Sequence, residues 1–271
     1  MQSYRTGAVI ALATAAALVG LWATCATAAP TESAQACSAP HEIVRFDAAL
    51  PRTAGLLGEG RALKIVAFGS SSTAGTGASS PANAYPARLE SELRLRLPNV
   101  EVVVLNRGIA GEDAKQMLAR LDASVIAEKP DLVLWQVGTN AVLDDYKLSN
   151  EETLVRAGLD RLKATGADII LIDPQYAPKV IVKPEATRMV HLLETIGRQG
   201  RVGVFHRFAV MRHWYVALHM RFADFVAPDG LHLNDWSYRC TAKLLADAIV
   251  DAAGPTAPIA SARRVARGPR A

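Results

Sequence analysis

Five short runs dominated by apolar residues punctuate the chain, at 64–69, 100–106, 132–137, 168–172 and 202–205. Runs of this length without strict polar alternation are the signature of strands buried on both faces. Helical spacing fills the gaps between them. It covers about 85–97, with Pro86 in the first turn, and a segment opened by Asp113, with Gln116 three residues on, that stops before Pro130. A third helix is predicted to be capped by Ser149 with Glu152 and to end at Gly166, and a fourth spans about 185–199. A helical stretch at about 207–220 and a closing helix at about 235–252 follow the last strand. Strand and helix in alternation predict an α/β fold, a single three-layer domain with a five-stranded parallel sheet covered on both faces. Ahead of the first strand, Phe46, Leu50, Leu56 and Leu57 predict a short element packed beneath the domain.

The ends of the chain follow other rules. Arg5, the apolar stretch from Gly7 to Trp22 and the small residues Ala26-Thr27-Ala28 have the layout of a secretory signal peptide, the alternative being an uncleaved anchor, with the A-x-A site favouring cleavage. The organisation expected is therefore a signal peptide at 1–28, a lead-in at 29–60, the folded domain at 61–253 and a disordered basic tail at 254–271. Export to the periplasm or the medium follows from the leader. Two cysteines, Cys37 and Cys240, then remain for an oxidising compartment, and two readings stand: a disulfide joining them, or two unrelated thiols. Neither forms a CxxC pair that would suggest zinc or redox chemistry.

Charge changes the picture little. Of the formal +4, five arginines lie outside the expected domain: Arg5 in the leader and Arg263, Arg264, Arg267 and Arg270 in the tail. Without them the body carries about −1, and no basic cluster for nucleic acid is evident. His191, His206, His213 and His219 lie in or beside helices without forming HExxH, so no metal is expected. The glycine-rich loop from Gly69 to Gly77 lacks the lysine of a phosphate cradle.

Chemistry concentrates at strand ends. Ser71 follows the first run, Asn106-Arg107-Gly108 the second, and Gly138-Thr139-Asn140 the third, while Asp229-Gly230-Leu231-His232 precedes the closing helix. A parallel sheet gathers such positions along its carboxyl edge. There they amount to a hydroxyl, a backbone N–H without side-chain bulk, a carboxamide and an Asp/His pair, the set that acyl transfer requires. Each residue also has a plain structural reading. Ser70 or Ser72 would serve equally as the hydroxyl, Asn140 as a turn cap, Gly108 as a turn glycine and Asp229 as the turn residue before Gly230.

Taken together, these four blocks resemble those of the SGNH (GDSL-type) hydrolases, from Ile65 to about Ala248. Gly69-x-Ser71-x-Thr73, Gly108, Asn140 and Asp229-x-x-His232 carry the resemblance. Gly69-Ser70-Ser71-Ser72 departs from the family's usual Gly-Asp-Ser-Leu, and Asn140-Ala141 from its frequent Asn-Asp. The resemblance implies a flavodoxin-like fold and an exported serine esterase without a cofactor. Ser71 would be the nucleophile, His232 the base and Asp229 its orienting partner, with Ser71, Gly108 and Asn140 forming an oxyanion hole. The substrate would be a small-molecule or glycan ester. An O-acetyltransferase acting on a glycan through the same site is an alternative, as is a non-catalytic envelope or carbohydrate-binding protein. Gln175 and Tyr176, after the fourth strand, are candidate substrate contacts. The aromatic and basic stretch from His206 to Phe222 would line an acyl pocket as a lid or touch a membrane as an amphipathic helix, although a packed helix is the preferred reading.

Overall fold

The computed structural model describes residues 37–254. The predicted signal peptide, the first part of the lead-in and nearly all of the predicted tail lie outside the described residues. Five strands, β1 (Leu63–Gly69), β2 (Val102–Gly108), β3 (Leu132–Gln136), β4 (Asp168–Ile172) and β5 (Gly203–Phe205), form one all-parallel sheet in the order β2-β1-β3-β4-β5. The helices are α1 (His41–Val44), α2 (Pro51–Gly58), α3 (Ser71–Ala74), α4 (Tyr85–Arg96), α5 (Ala114–Ser124), α6 (Thr139–Leu143), α7 (Leu148–Lys163), α8 (Pro178–Ile181), α9 (Ala186–Gly200), α10 (Arg207–Val216), α11 (Phe222–Phe225) and α12 (Asp235–Ala252).

Side chains alternate across the sheet and divide the core in two. Ile65, Ala67, Leu132, Leu134, Ile170 and Ile172 join Leu89 and Leu93 of α4 and Leu245 and Ile249 of α12 on one face. On the other, Val66, Phe68, Val133, Trp135, Ile169 and Leu171 join Met117 and Leu121 of α5, Val155 and Leu159 of α7 and Leu193 of α9. Both faces are covered, which is why the central strands read as unbroken apolar runs. The order 2-1-3-4-5 puts the topological switch between β1 and β3, where open α/β sheets form their ligand crevice at the carboxyl ends of the strands. Thr53 and Arg52 at the start of α2 donate their backbone N–H groups to the Asp168 carboxylate at 2.7 and 3.3 Å, so the element predicted ahead of the first strand is, from Pro51 to Gly58, a helix docked under the sheet, with Phe46 and Leu50 packed in the segment before it.

Several boundaries differ from the sequence reading, three of them by more than an end effect. β2 runs two residues further than Asn106, pairing Gly69 with Gly108 in register. α7 begins at Leu148 with Lys147 as its cap, which places Ser149 inside the first turn with no side-chain capping bond at the helix start. The stretch at 207–220 is broken: α10 stops at Val216, His219 adopts a left-handed φ of 54°, and α11 starts anew at Phe222. Cys37 and Cys240 are joined as a disulfide across a sequence separation of 203. In the chain-entropy model a loop of that length restricts the unfolded chain enough to contribute about 5 kcal/mol.

Candidate active site

β1 delivers the first candidate group. Its last residue, Gly69, leads into Ser70, whose N–H and Oγ both donate to Gln136 Oε1 at 2.9 and 3.0 Å, tying the turn to the end of β3. α3 starts at the next residue. Ser70 and Ser72 are 2% and 1% exposed, whereas Ser71 is half-buried. Of the three serines, the middle one alone meets an imidazole: Ser71 Oγ lies 2.8 Å from His232 Nε2.

The imidazole is held from behind. His232 Nδ1 lies 2.5 Å from Asp229 Oδ2, while Asp229 Oδ1 accepts the backbone N–H groups of Leu231 and His232 at 2.9 and 3.0 Å. A three-residue spacing reaches the ring because Gly230, at φ 70°, turns the backbone sharply. Partial burial pushes the Asp229 carboxyl upward, but the His232 ring and the two backbone donors outweigh it and hold it at about 2. The loop is pinned at two further points. Gln175 Nε2 donates to Leu231 O at 3.2 Å, and the Lys179 N–H of α8 donates to Gly230 O at 3.0 Å.

β3 and β2 supply the remaining groups. Asn140, in the first turn of α6, donates one N–H to Glu112 O at 2.7 Å and retains a second. Gly108 does not fill the place expected of it, because its N–H donates to Asn106 Oδ1 at 2.9 Å. Its requirement for glycine has another cause: a Cβ there would sit 2.1 Å from Ala74 N and 2.6 Å from Thr73 C. Gly108 thus lets β2 abut the turn of Thr73 and Ala74. Gly111 was overlooked in the sequence. It is exposed, adopts φ 83° with open space where a Cβ would point, and precedes the carbonyl that Asn140 grips. Among the described residues no acceptor takes its N–H. The signal was a second glycine three residues after the first, hidden by placing the end of β2 too early.

Gln175 is not available to a substrate. It is 1% exposed, its Oε1 accepts from Thr139 Oγ1 at 3.0 Å and from the buried Arg207 Nη2 at 2.9 Å, and its Nε2 is spent on Leu231. It braces the histidine loop instead. Tyr176 is half-buried, with its ring edge-on to Phe208 at 5.1 Å and stacked near Phe222 at 5.9 Å. The aromatic residues of α10 and α11 belong to the same cluster, Tyr215 stacking on Phe222 at 4.4 Å and Trp214 meeting Phe225 edge-on. Among the described residues no group of three or more His, Cys, Asp or Glu side chains is placed to hold a metal, and no helix is long and apolar enough to cross a membrane.

One titratable group near the rim is buried without a full set of partners. Glu151 in α7 is 2% exposed and its Oε1 has no hydrogen bond. Burial, reinforced by the Asp113 carboxylate, pushes it up to about 7. The native state therefore holds a proton that the unfolded chain releases near 4.5, and stability falls as pH rises from about 4.5 to about 7. Glu151→Gln is expected to raise stability by on the order of 2–3 kcal/mol at pH 8 and by nothing at pH 4. Thermal melts of both proteins across that range check this; a gain independent of pH would contradict it.

A parallel sheet in 2-1-3-4-5 order, with serine, asparagine and an Asp/His pair at its carboxyl rim, is the fold of the SGNH-type hydrolases. The sequence model of the non-GDSL lipase-like family matches residues 36–255, and the chain belongs to that family. The family description agrees with the absence of Gly-Asp-Ser-Leu at Gly69–Ser72. An acetylxylan esterase of Geobacillus stearothermophilus is 28% identical over 128 residues, covering 44% of this chain and 55% of that enzyme's length. Among solved structures, a two-domain esterase active on acetylated mannans superposes with a TM-score of 0.67 at 18% identity, over 80% of this chain and 58% of that one. A lipase/acylhydrolase of Enterococcus faecalis superposes with a TM-score of 0.56 at 26% identity, over 69% and 95%.

Proposed function

We propose that the protein is an exported serine esterase that removes acetyl or other short acyl groups from an esterified glycan. The observation that carries this reading is the unbroken relay from Asp229 through His232 to Ser71, at 2.5 and 2.8 Å, at the edge of a parallel sheet whose strand order reverses between β1 and β3. In the reaction Ser71 Oγ attacks the acyl carbonyl as its proton passes to His232 Nε2. Asp229 keeps the ring's other proton on Nδ1 and stabilises the imidazolium. The oxyanion of the tetrahedral intermediate is met by the Ser71 N–H and the second N–H of Asn140, with the Gly111 N–H in the role expected of Gly108. Collapse returns the proton from Nε2 to the leaving sugar oxygen. Water, deprotonated by the same nitrogen, then hydrolyses the acyl-serine and frees Ser71.

The glycan part of the reading is supported by relatives that act on acetylated xylan and acetylated mannans. The leader-like segment at 1–28 and the Cys37–Cys240 bond support export to an oxidising compartment. The test is acetate release from acetylated xylan and acetylated mannan, beside p-nitrophenyl esters of graded chain length. Release from at least one glycan, with p-nitrophenyl acetate cleaved faster than the octanoate, is expected. A protein that cleaves only long-chain esters, or none, is not this enzyme. Acetyl appearing on an added acceptor glycan instead of in solution would identify the transferase.

A further inference from the structure

Arg120 of α5 belongs to none of the groups assigned above, yet it touches segments that carry three of them. Its Nε donates to both oxygens of the Glu112 carboxylate at 2.7 and 2.9 Å, and its Nη2 lies 2.5 Å from the same carboxylate. Nη2 also donates to Gly69 O at 3.2 Å, a carbonyl that takes the Ile109 N–H at 3.0 Å as well. The guanidinium lies over the buried Phe68 ring, 4.4 Å from its centre. Glu112 in turn presents the main-chain carbonyl that accepts Asn140 Nδ2 at 2.7 Å, and Gly111 directly precedes it.

We infer that Arg120 is a positioning residue for the oxyanion hole, holding the loop of Gly111 and Glu112, the Asn140 carboxamide and the backbone that leads to Ser71 in one register. This inference rests on the reading of the site given under Proposed function. The side chains of the pair are only 15% and 12% exposed, so the fork is shielded from the solvent and salt that weaken a surface pair. Its planar geometry matters as much as its charge. A forked guanidinium can grip a carboxylate, cap a carbonyl and stack on an aromatic ring at once, which an ammonium cannot. Among the described residues, the hydrogen bond made directly between the loop after β2 and β1 is that of the Ile109 N–H to Gly69 O. Without the clamp, Glu112 O and the Asn140 donor lose their common reference, and displacements near an ångström at reacting groups cost about 10²-fold in rate.

The test compares wild type, Ser71→Ala, Arg120→Lys, Glu112→Gln and Asn140→Ala, with the double variant Arg120→Lys/Asn140→Ala, on p-nitrophenyl acetate, with melting temperatures recorded for each. Arg120→Lys and Glu112→Gln are each expected to lower kcat by about 10- to 100-fold with KM within about threefold of wild type. Glu112→Gln keeps the main-chain carbonyl and removes only the ionic fork. With Asn140 already truncated, adding Arg120→Lys is expected to cost less than about threefold more, because both act on the same donor set. A lowered melting temperature with kcat unchanged, or a double variant losing the full product of the two single effects, overturns the inference and leaves Arg120 a structural ion pair. If Ser71→Ala turns over substrate like wild type, the reading of the site itself has failed; if Ser71→Ala is inactive while both clamp variants keep wild-type kcat, only the inference fails.

Discussion

Replacing Ser71 by alanine is expected to lower kcat on p-nitrophenyl acetate by roughly 10⁴- to 10⁶-fold, the range seen when a nucleophile is removed from an intact serine triad. The fold should survive the change. Ser71 Oγ has its hydrogen bond with His232 and is not what anchors α3. That turn is held by the Ser70 bonds to Gln136 Oε1 and by the backbone bonds from Thr73 and Ala74 to Ser70 O at 3.0 and 2.9 Å. A melting temperature within about 2 °C of wild type is therefore expected, as for a small substitution that breaks no buried network. The two flanking serines supply the contrast. Ser70→Ala removes one of the bonds that fix the turn, so it should lower stability while leaving a working nucleophile. Ser72→Ala changes a buried hydroxyl that does not face the imidazole. An active-site titration with an organophosphate that labels serine covalently makes the distinction directly: wild type and Ser72→Ala should be labelled stoichiometrically and Ser71→Ala not at all. Retention of more than about a tenth of the activity by Ser71→Ala would move the nucleophile elsewhere.

The same region shows how far residue patterns carry and where they stop. β1, β3 and β4 were readable because a central parallel strand is buried on both faces and must be apolar almost throughout. β2 lies at the edge of the sheet and is only partly covered, so it tolerates Asn106 and Arg107 within the strand. Those polar residues looked like the start of a loop. Ending the strand there put Gly108 where a substrate-facing amide was wanted, and the actual loop glycine, Gly111, went unread. Gln175 failed for a different reason. A glutamine after a buried strand looks available for a ligand, but its partners, Thr139, Arg207 and Leu231, come from three distant stretches and leave no local trace. The clamp from Arg120 to Glu112 is equally silent in sequence, since an arginine eight residues after a glutamate reads as ordinary surface charge. Positions fixed by burial or backbone reach were legible, whereas those fixed by satisfying polar groups across the fold were not.

Asp229→Asn is the second large effect expected, a loss of roughly 10³- to 10⁴-fold in kcat with KM little changed. The carboxylate performs two tasks that an amide cannot share. Oδ1 accepts two backbone N–H groups while Oδ2 accepts from His232 Nδ1. An asparagine has a single acceptor oxygen and a donor NH2. If the oxygen stays with the backbone, the NH2 faces Nδ1, and the ring answers by moving its proton to Nε2. That nitrogen then points a hydrogen at Ser71 Oγ across the 2.8 Å gap and has no lone pair to receive the hydroxyl proton. If the amide is flipped to save the tautomer, its NH2 confronts the N–H groups of Leu231 and His232, and the turn that carries the histidine loses its internal bonds. Both orientations damage the site, the first by chemistry and the second by geometry. In the native protein Asp229 stays ionised down to about pH 2, because its hydrogen bonds hold it below the usual carboxylate range; their stabilisation is complete above the unfolded value of 3.8 and is lost as pH falls through about 2. The asparagine defect should therefore persist across the working pH range, since at none of those values is the native carboxyl neutral. Steady-state kinetics from pH 5 to 9 on both proteins decides the matter. A variant within tenfold of wild type would mean that the loop braced by Gln175 and α8 orients the imidazole without Asp229.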